Sequence, residues 1–267
     1  MRRKHRLIKP ITRFSPRSLH GFDVDKENTM ANHIKSVTLL HEKFPTNEHY
    51  PFALPIFNQT KYLFFDTPIT LFVGENGTGK STLLEALAHA CGIHIWSTSG
   101  GARYQVNRYE KELHKCLSLE WSNGPIPGAF FGSEIFKDFA NILDEWAISD
   151  PGQLKYFGGR SLKTQSHGQS MMSYFRARYK IKGIYLLDEP ETALSPRSQL
   201  ELLEIIGENS RAGHAQFIIA THSPILLACG GATIYSFDHA PVRVVEYEET
   251  EHYQIYRKFL ADWGKYI

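Results

Sequence analysis

The stretch Gly74-Glu75-Asn76-Gly77-Thr78-Gly79-Lys80-Ser81 has the residue types and spacing of G-x-x-x-x-G-K-[ST], the phosphate-binding P-loop. Glycines let the backbone turn tightly, so that successive N–H groups wrap an anion. A helix starting at the loop adds the partial positive charge of its N-terminus. Lys80 is long enough to reach β- and γ-phosphates, Ser81 offers a hydroxyl to magnesium, and Thr82 lies beside them. Gly74 to Thr82 are therefore the candidate nucleotide contacts. A second cluster, Ile184-Tyr185-Leu186-Leu187-Asp188-Glu189, is an apolar run ending in two carboxylates. A nucleotide site needs an acid opposite Ser81 to hold magnesium, and Asp188 fills that role. Glu189, one residue further on, is placed to polarise the attacking water as a general base. His222 follows a third apolar run, Phe217 to Ala220, and is a candidate partner for the γ-phosphate or the water. Ser166-x-Gly168-Gln169, just before a helical stretch, is a weaker candidate, given weight by its position.

These residues need elements to hold them. Ile69 to Val73 reads as a buried strand, and Leu83, Leu84, Leu87, Ala88 and Cys91 fall at helical spacing after the glycine loop. Strand, loop and helix thus follow in the order the chemistry requires. Ile34 to Leu40 and Lys61 to Asp66 read as two earlier strands, predicting an antiparallel edge beside a parallel core. Glu110 to Cys116 reads as helical, Leu117 to Trp121 as a strand, and Ile135 to Trp146 as an amphipathic helix. Residues 92–165 are expected to form a compact helical insertion, with Ser97 to Gly101 as a flexible connection. A strand at Ile184 to Asp188, a helix at Arg197 to Arg211, and strands at Phe217 to Ala220, Ala232 to Phe237 and Val242 to Tyr247 follow. A helix from His252 to Trp263, docked on the body, closes the chain. In an open α/β sheet, ligands bind beyond the carboxyl ends of the strands, which would gather Lys80, Glu189 and His222 at one edge.

Composition narrows the possibilities. Residues 1–29 hold eight Lys/Arg against three acids, whereas the remainder holds 22 basic and 25 acidic residues. The basic character therefore sits in an N-terminal arm that reads as disordered and is the one candidate nucleic-acid contact. Met30 opens the better-patterned segment, so residues 30–267 are expected to form a single domain. Cys91, Cys116 and Cys229 are scattered, which argues against a disulfide framework or zinc site and fits a cytoplasmic location. No apolar run reaches the ~18 residues of a membrane span, and no signal peptide is expected.

In their order, these motifs resemble the ABC-class ATPases. Gly74 to Ser81 is similar to Walker A, Ser166 to Gln169 to the signature motif, and Ile184 to Glu189 to Walker B. Ala193-Leu194-Ser195-Pro196 resembles the D-loop, and His222 the switch histidine. A closer resemblance is to stand-alone bacterial predicted ATPases (AAA family ATPases) related to SMC-type and DNA-repair ATPase heads. It is carried by Tyr50-Pro51-Phe52, Gly158-Gly159-Arg160-Ser161-Leu162, Leu186 to Glu191, Ala220 to Leu227 and Glu251-His252-Tyr253. It implies an α/β P-loop NTPase fold of ABC-ATPase type, with a mostly parallel core sheet, antiparallel edge strands and a small helical insertion. It also implies ATP and Mg2+ as cofactors and a head-to-tail homodimer. There, Ser166, Gly168 and Gln169 of one subunit would complete the site of the other. The chain departs from the pattern at His167, where the usual signature has glycine. At the Q-loop, Ser133 or Glu134 stands by position where glutamine is expected, with Gln105 as an alternative. Tyr50 and Phe52 are candidates for gripping the adenine.

The expected function is a soluble, magnesium-dependent ATPase that dimerises with ATP and drives an unknown protein partner, in DNA maintenance or defence. The alternatives are the ATP-binding subunit of an ABC membrane transporter, or a module in which nucleotide is structural.

Overall fold

The computed structural model describes residues 32–96, 107–133, 135–150, 152, 154–155 and 159–267. The basic arm, Met30, Ser97 to Gly101, Gln105, Glu134 and Gly158 lie outside them. The described strands are β1 (Ile34–Leu39), β2 (Tyr62–Phe64), β3 (Ile69–Val73), β4 (Leu117–Trp121), β5 (Gly128–Gly132), β6 (Gly183–Asp188), β7 (Ala215–Ala220), β8 (Thr233–Ser236) and β9 (Arg243–Val245). The α-helices are α1 (Pro55–Gln59), α2 (Lys80–Ala90), α3 (Phe136–Ser149), α4 (His167–Arg178), α5 (Pro196–Arg211), α6 (Pro224–Leu227) and α7 (Glu251–Ala261).

Strands whose residues are apolar without alternation are buried on both faces, and they build the central sheet. Its order is β5-β6-β7-β3-β8-β9, parallel throughout except for the antiparallel β8–β9 edge. Alternate side chains leave opposite faces. Ile69, Leu71, Val73, Tyr185, Leu187, Phe217 and Ile219 pack against α3, α4, α5 and α6. Phe72, Ile184, Leu186, Ile218 and Ala220 pack on the other face, against α1, α2 and the second sheet.

That second sheet, β2-β1-β4, is antiparallel and three-stranded. The two early strands are thus antiparallel, as expected, but β1 pairs with β2 on one side and β4 on the other, and neither early strand extends the edge of the parallel sheet. In β1 the exposed Lys35 and half-buried Thr38 interrupt the buried positions, which suits a sheet with one covered face. The segment 92–165 is more than a helical insertion, because it supplies β4 to one sheet and β5 to the other in addition to α3. The expected helix at Glu110 to Cys116 is reduced to one short 3-10 turn, Leu113–Cys116.

Gln216 ties the two sheets together from a fully buried position. Its Oε1 accepts from Ile34 N at 2.8 Å, and its Nε2 donates to Ile34 O at 2.9 Å. Gln216→Met would keep the bulk and leave both backbone groups of Ile34 unpaired. We expect a loss of ~2–3 kcal/mol in unfolding free energy by urea titration, because each orphaned buried polar group costs about 1–3 kcal/mol.

Helix α7 docks on the body beside α5 and α6, as expected, but shallowly. It buries none of its residues, and Ile255, Tyr256, Phe259 and Leu260 are exposed. Among the described residues, no helix is long and apolar enough to cross a membrane.

Candidate active site

Strands β6, β7 and β3 lie side by side and run the same way, so the loops that leave them meet at one edge. β3 leads into the glycine loop, β6 ends at Asp188 with Glu189 following, and β7 ends two residues before His222. Parallel pairing alone thereby sets the glycine loop beside two segments that lie more than 100 residues further along the sequence.

The loop turns through left-handed glycines. Gly79 has φ 102° and caps α2, and a Cβ there would meet the Phe57 ring at 3.0 Å. An L-residue at this position is excluded both by its backbone angle and by its neighbours. Lys80 is almost fully buried and donates from Nζ to the carbonyls of Gly74 (2.6 Å) and Glu75 (2.8 Å), so its ammonium lies inside the loop's curve. Burial lowers its proton affinity, and Glu189, Asp238, Asp188 and Glu75 oppose that shift. Asp238, just past β8, steadies the loop by accepting from Glu75 N at 2.7 Å.

Ser81 Oγ donates to Asp188 Oδ1 at 2.9 Å. Burial pushes the Asp188 carboxyl up to about 7, with Ser81 partly offsetting this and the charges of Glu189 and Glu85 adding to it. Among the described residues no three His, Cys, Asp or Glu side chains cluster as metal ligands, but the Asp188 carboxylate and the Ser81 hydroxyl form an adjacent pair of oxygen donors. Oxygen donors are what a magnesium ion requires, so the pair fits the metal. The raised pKa also has a stability consequence. The folded chain binds this proton more tightly than the unfolded chain, whose carboxyl titrates near 3.8. The group's contribution is therefore most favourable below that value and is lost as pH rises through the window up to about 7. We expect Asp188→Asn to be more stable than the parent at pH 7.5 without magnesium, with the gap shrinking at pH 5. Urea titration at the two pH values measures it, against a ceiling of about 1.4 kcal/mol per pH unit for one group.

Glu189 is a non-glycine residue in the left-handed region, at φ 46° and ψ 55°. Such a conformation costs about 1 kcal/mol or more and persists where surrounding bonds enforce it. Here Glu189 N donates to Ala220 O at 2.9 Å, and Thr192 Oγ1 donates to Glu189 O at 2.7 Å. The bend turns the carboxylate out of the sheet toward His222, whose Nε2 is 3.5 Å from Glu189 Oε1. His222 is held by its backbone N–H, which donates to Glu191 Oε1 at 2.6 Å. Its proton affinity is lowered by burial first and then by Lys80. Its Nδ1 lies 2.9 Å from Nε2 of His252 on α7.

Ser81, Asp188, Glu189 and Ser133 line one cleft of about 320 Å³ together with Glu85 and Thr192. Ser133, at the end of β5, is therefore the described residue that faces the metal-side acids, and its Oγ donates to Thr192 Oγ1 at 3.3 Å. Tyr50 lies at the opposite side of Ser81, in a cleft with Thr82 and His89, and its hydroxyl meets Thr82 Oγ1. Phe52 is fully buried in the core, so of the two adenine candidates only Tyr50 is accessible.

Ser166, Gly168 and Gln169 lie elsewhere in the chain. Ser166 caps α4 in a reciprocal box: its Oγ accepts from Gln169 N, and Gln169 Oε1 accepts from Ser166 N. Gly168 and Gln169 line a separate cleft of about 690 Å³ with Arg160, Arg176, Ser198 and Glu201. A Cβ on Gly168 would meet Ala193 O at 3.1 Å. His167, where a glycine is usual, packs its ring edge-on against Phe136 with centroids 5.9 Å apart. Its side chain thus turns toward α3 and leaves the helix end open. Glu191, Asp238 and His252 are functional-edge residues that sequence reasoning did not assign. Glu191 and His252 stand in runs that carry the family resemblance, Leu186 to Glu191 and Glu251-His252-Tyr253, but neither was given a role there; Asp238 had no signal beyond its residue type.

Residues 171–228 match the family described as "AAA domain, putative AbiEii toxin, Type IV TA system", and residues 55–115 match one described as "AAA domain". The chain is 27% identical over 175 residues to the "Probable siderophore transport system ATP-binding protein YusV" of Bacillus subtilis (strain 168), covering 60% of the chain and 63% of that protein. It is 28% identical over 206 residues to the "Hemin import ATP-binding protein HmuV" of Rhodopseudomonas palustris (strain ATCC BAA-98 / CGA009), covering 67% of the chain and 75% of that protein. The chain thus spans less than two thirds of the Bacillus relative. A solved structure titled "An inward-facing conformation of a putative metal-chelate type ABC transporter" shares the fold, with TM-score 0.52 and 19% identity over 84% of this chain and 88% of that one. In motif order, fold and these matches the chain is similar to P-loop ATPases of the ABC class.

Proposed function

We propose that the chain binds and hydrolyses ATP, working as a nucleotide-driven head-to-tail homodimer that transmits opening and closing to a protein partner. The observation that carries the reading is the separation of two half-sites. Lys80, Asp188, Glu189 and His222 meet at one edge, while Gly168 and Gln169, on the helix that Ser166 caps, line a different cleft of the same chain. A second copy, turned head to tail, would bring its Ser166 and Gly168 onto the open face of the first site. ATP then favours the closed pair because it contacts both chains there, and a ligand shifts an equilibrium by its differential affinity.

Within each site, the loop amides and Lys80 would hold the β- and γ-phosphates, and Ser81 and Asp188 would hold magnesium. That ion, when bound, neutralises phosphate charge. Glu189 accepts a proton from the water whose oxygen attacks the γ-phosphorus. The bond to the bridging oxygen breaks, leaving ADP and inorganic phosphate. His222 donates from Nε2 to the γ-phosphate oxygen as charge gathers there. The family description that matches residues 171–228 favours a defence output. On this reading residues 30–267 form the ATPase unit, and residues 1–29 are an appended basic arm.

A complementation assay tests the dimer. Lys80→Ala and Ser166→Arg should each be nearly inactive alone. Mixed, they should regain activity, because a heterodimer carries one site with an intact loop from one chain and an intact Ser166 from the other. A mixture as inactive as its components contradicts the arrangement. The second reading, an ATP-binding subunit of a membrane transporter, is favoured by the names of the Bacillus and Rhodopseudomonas relatives. It predicts stable co-purification with an integral membrane protein in detergent.

A further inference from the structure

Helix α7 buries no residue of its own, yet its N-terminus is fastened to the active-site edge. Thr250 caps the helix: its Oγ1 accepts from Tyr253 N at 3.3 Å and donates to Tyr247 O at 2.7 Å. The Tyr247 and Tyr253 rings pack with centroids 4.7 Å apart. The Tyr247 hydroxyl donates to Pro224 O at 2.9 Å, two residues beyond His222. This clamp delivers His252 to His222, with 2.9 Å between His252 Nε2 and His222 Nδ1. The helix is therefore docked at the one place where its histidine meets the active-site imidazole.

One of those two nitrogens must donate, and the surroundings decide which. If His222 donated from Nδ1, its bare Nε2 would direct a lone pair at the Glu189 carboxylate 3.5 Å away. His252 would then carry a buried Nδ1–H for which the described residues offer no acceptor. If His252 donates from Nε2, the repulsion between the His222 lone pair and Glu189 is replaced by attraction. His222 then carries its proton on Nε2, facing Glu189, and His252 is left only with a bare acceptor at Nδ1. Either arrangement leaves one buried N–H without a hydrogen-bond acceptor, on His252 Nδ1 or on His222 Nε2, but only in the second does that proton face a carboxylate, Glu189 at 3.5 Å, so the second arrangement is favoured. Burial and the Lys80 charge favour a neutral His222 in addition.

We propose that His252 is a positioning residue for ATP hydrolysis: it donates to His222 Nδ1 and so fixes the tautomer that presents Nε2–H to the γ-phosphate. The inference rests on the role given to His222 above. Orienting partners of functional imidazoles of this kind are worth about 10–100-fold.

The test uses the full chain. His252→Leu should lower kcat by ~10–100-fold with the KM for ATP little changed. His252→Gln, whose amide nitrogen can donate from nearly the same place, should retain most of the turnover. His222→Ala should lose at least as much as His252→Leu, and the double variant should lose no more than His222→Ala, as two groups acting as one unit require. Independently of any variant's folding, 15N imidazole shifts of the unsubstituted protein, with His222 assigned by its loss in His222→Ala, should report Nε2–H on His222. Wild-type turnover in His252→Leu, equal impairment of the Leu and Gln variants, or an Nδ1–H tautomer at His222 would each overturn the inference. If His222→Ala itself turns over normally, the reading of His222 fails; if it is impaired while His252→Leu is not, only the role of His252 fails.

Discussion

Glu189→Gln should lower ATP turnover by ~10²–10⁴-fold while leaving ATP affinity close to that of the parent. The amide matches the carboxylate in shape and keeps its place at the bend, but it cannot take a proton from water. Binding should survive because the phosphate-holding groups, Lys80 and the loop amides, belong to a different segment. Single-turnover hydrolysis together with equilibrium nucleotide binding separates the two effects. Parallel losses in both would mean that Glu189 shapes the site instead of acting on water. The residue's backbone supplies a control. Glu189→Gly relieves a left-handed conformation at φ 46°, so it should be as inactive as the Gln variant but more stable, by about 1 kcal/mol. Stability gained as activity is lost marks a strain kept for function.

Lys80→Ala should impair both binding and turnover. The lysine is buried beside Asp188, Glu189 and Asp238, and it is the charge that counters them. Removing it leaves those acids facing the phosphates of the nucleotide. A charge-assisted hydrogen bond is worth about 1.5–3 kcal/mol, so ATP affinity should fall by ~10–100-fold. Turnover of the ATP that still binds should fall by a further ~10²–10³-fold, the usual cost of losing a donor aimed at developing charge. Isothermal titration with ATP, followed by hydrolysis at saturating ATP, resolves the two losses. Lys80→Arg should not rescue either, because the guanidinium is planar and too large for a pocket sized to an ammonium held 2.6 and 2.8 Å from two carbonyls.

Much of the site was legible because its residues are local in sequence or fixed by strand order. Gly74 to Ser81 form one continuous stretch, and the apolar runs before Gly74, Asp188 and His222 read as buried strands, whose carboxyl ends gather in an open α/β sheet. What was not legible depends on contacts across long separations. Nothing near Ile34 announces that Gln216 will bond both of its backbone groups. Phe52 and Tyr50 are equivalent by position, but side-chain direction buries one and exposes the other. The partnership of His252 with His222 needs a clamp through Tyr247 and Tyr253 that no periodicity records. The pairing of β1 with β2 and β4 was hidden for a similar reason, since strand type can be read from alternation but the choice of neighbour cannot.

The central claim is that ATP brings two copies of this chain together around Lys80 and Glu189. The most direct measurement is the solution mass of Glu189→Gln by light scattering, with and without ATP and magnesium. The account predicts a monomer without nucleotide and a mass twice as large with it, because the variant binds ATP but cannot hydrolyse it to reopen the pair. A mass that stays monomeric while ATP is demonstrably bound would contradict it.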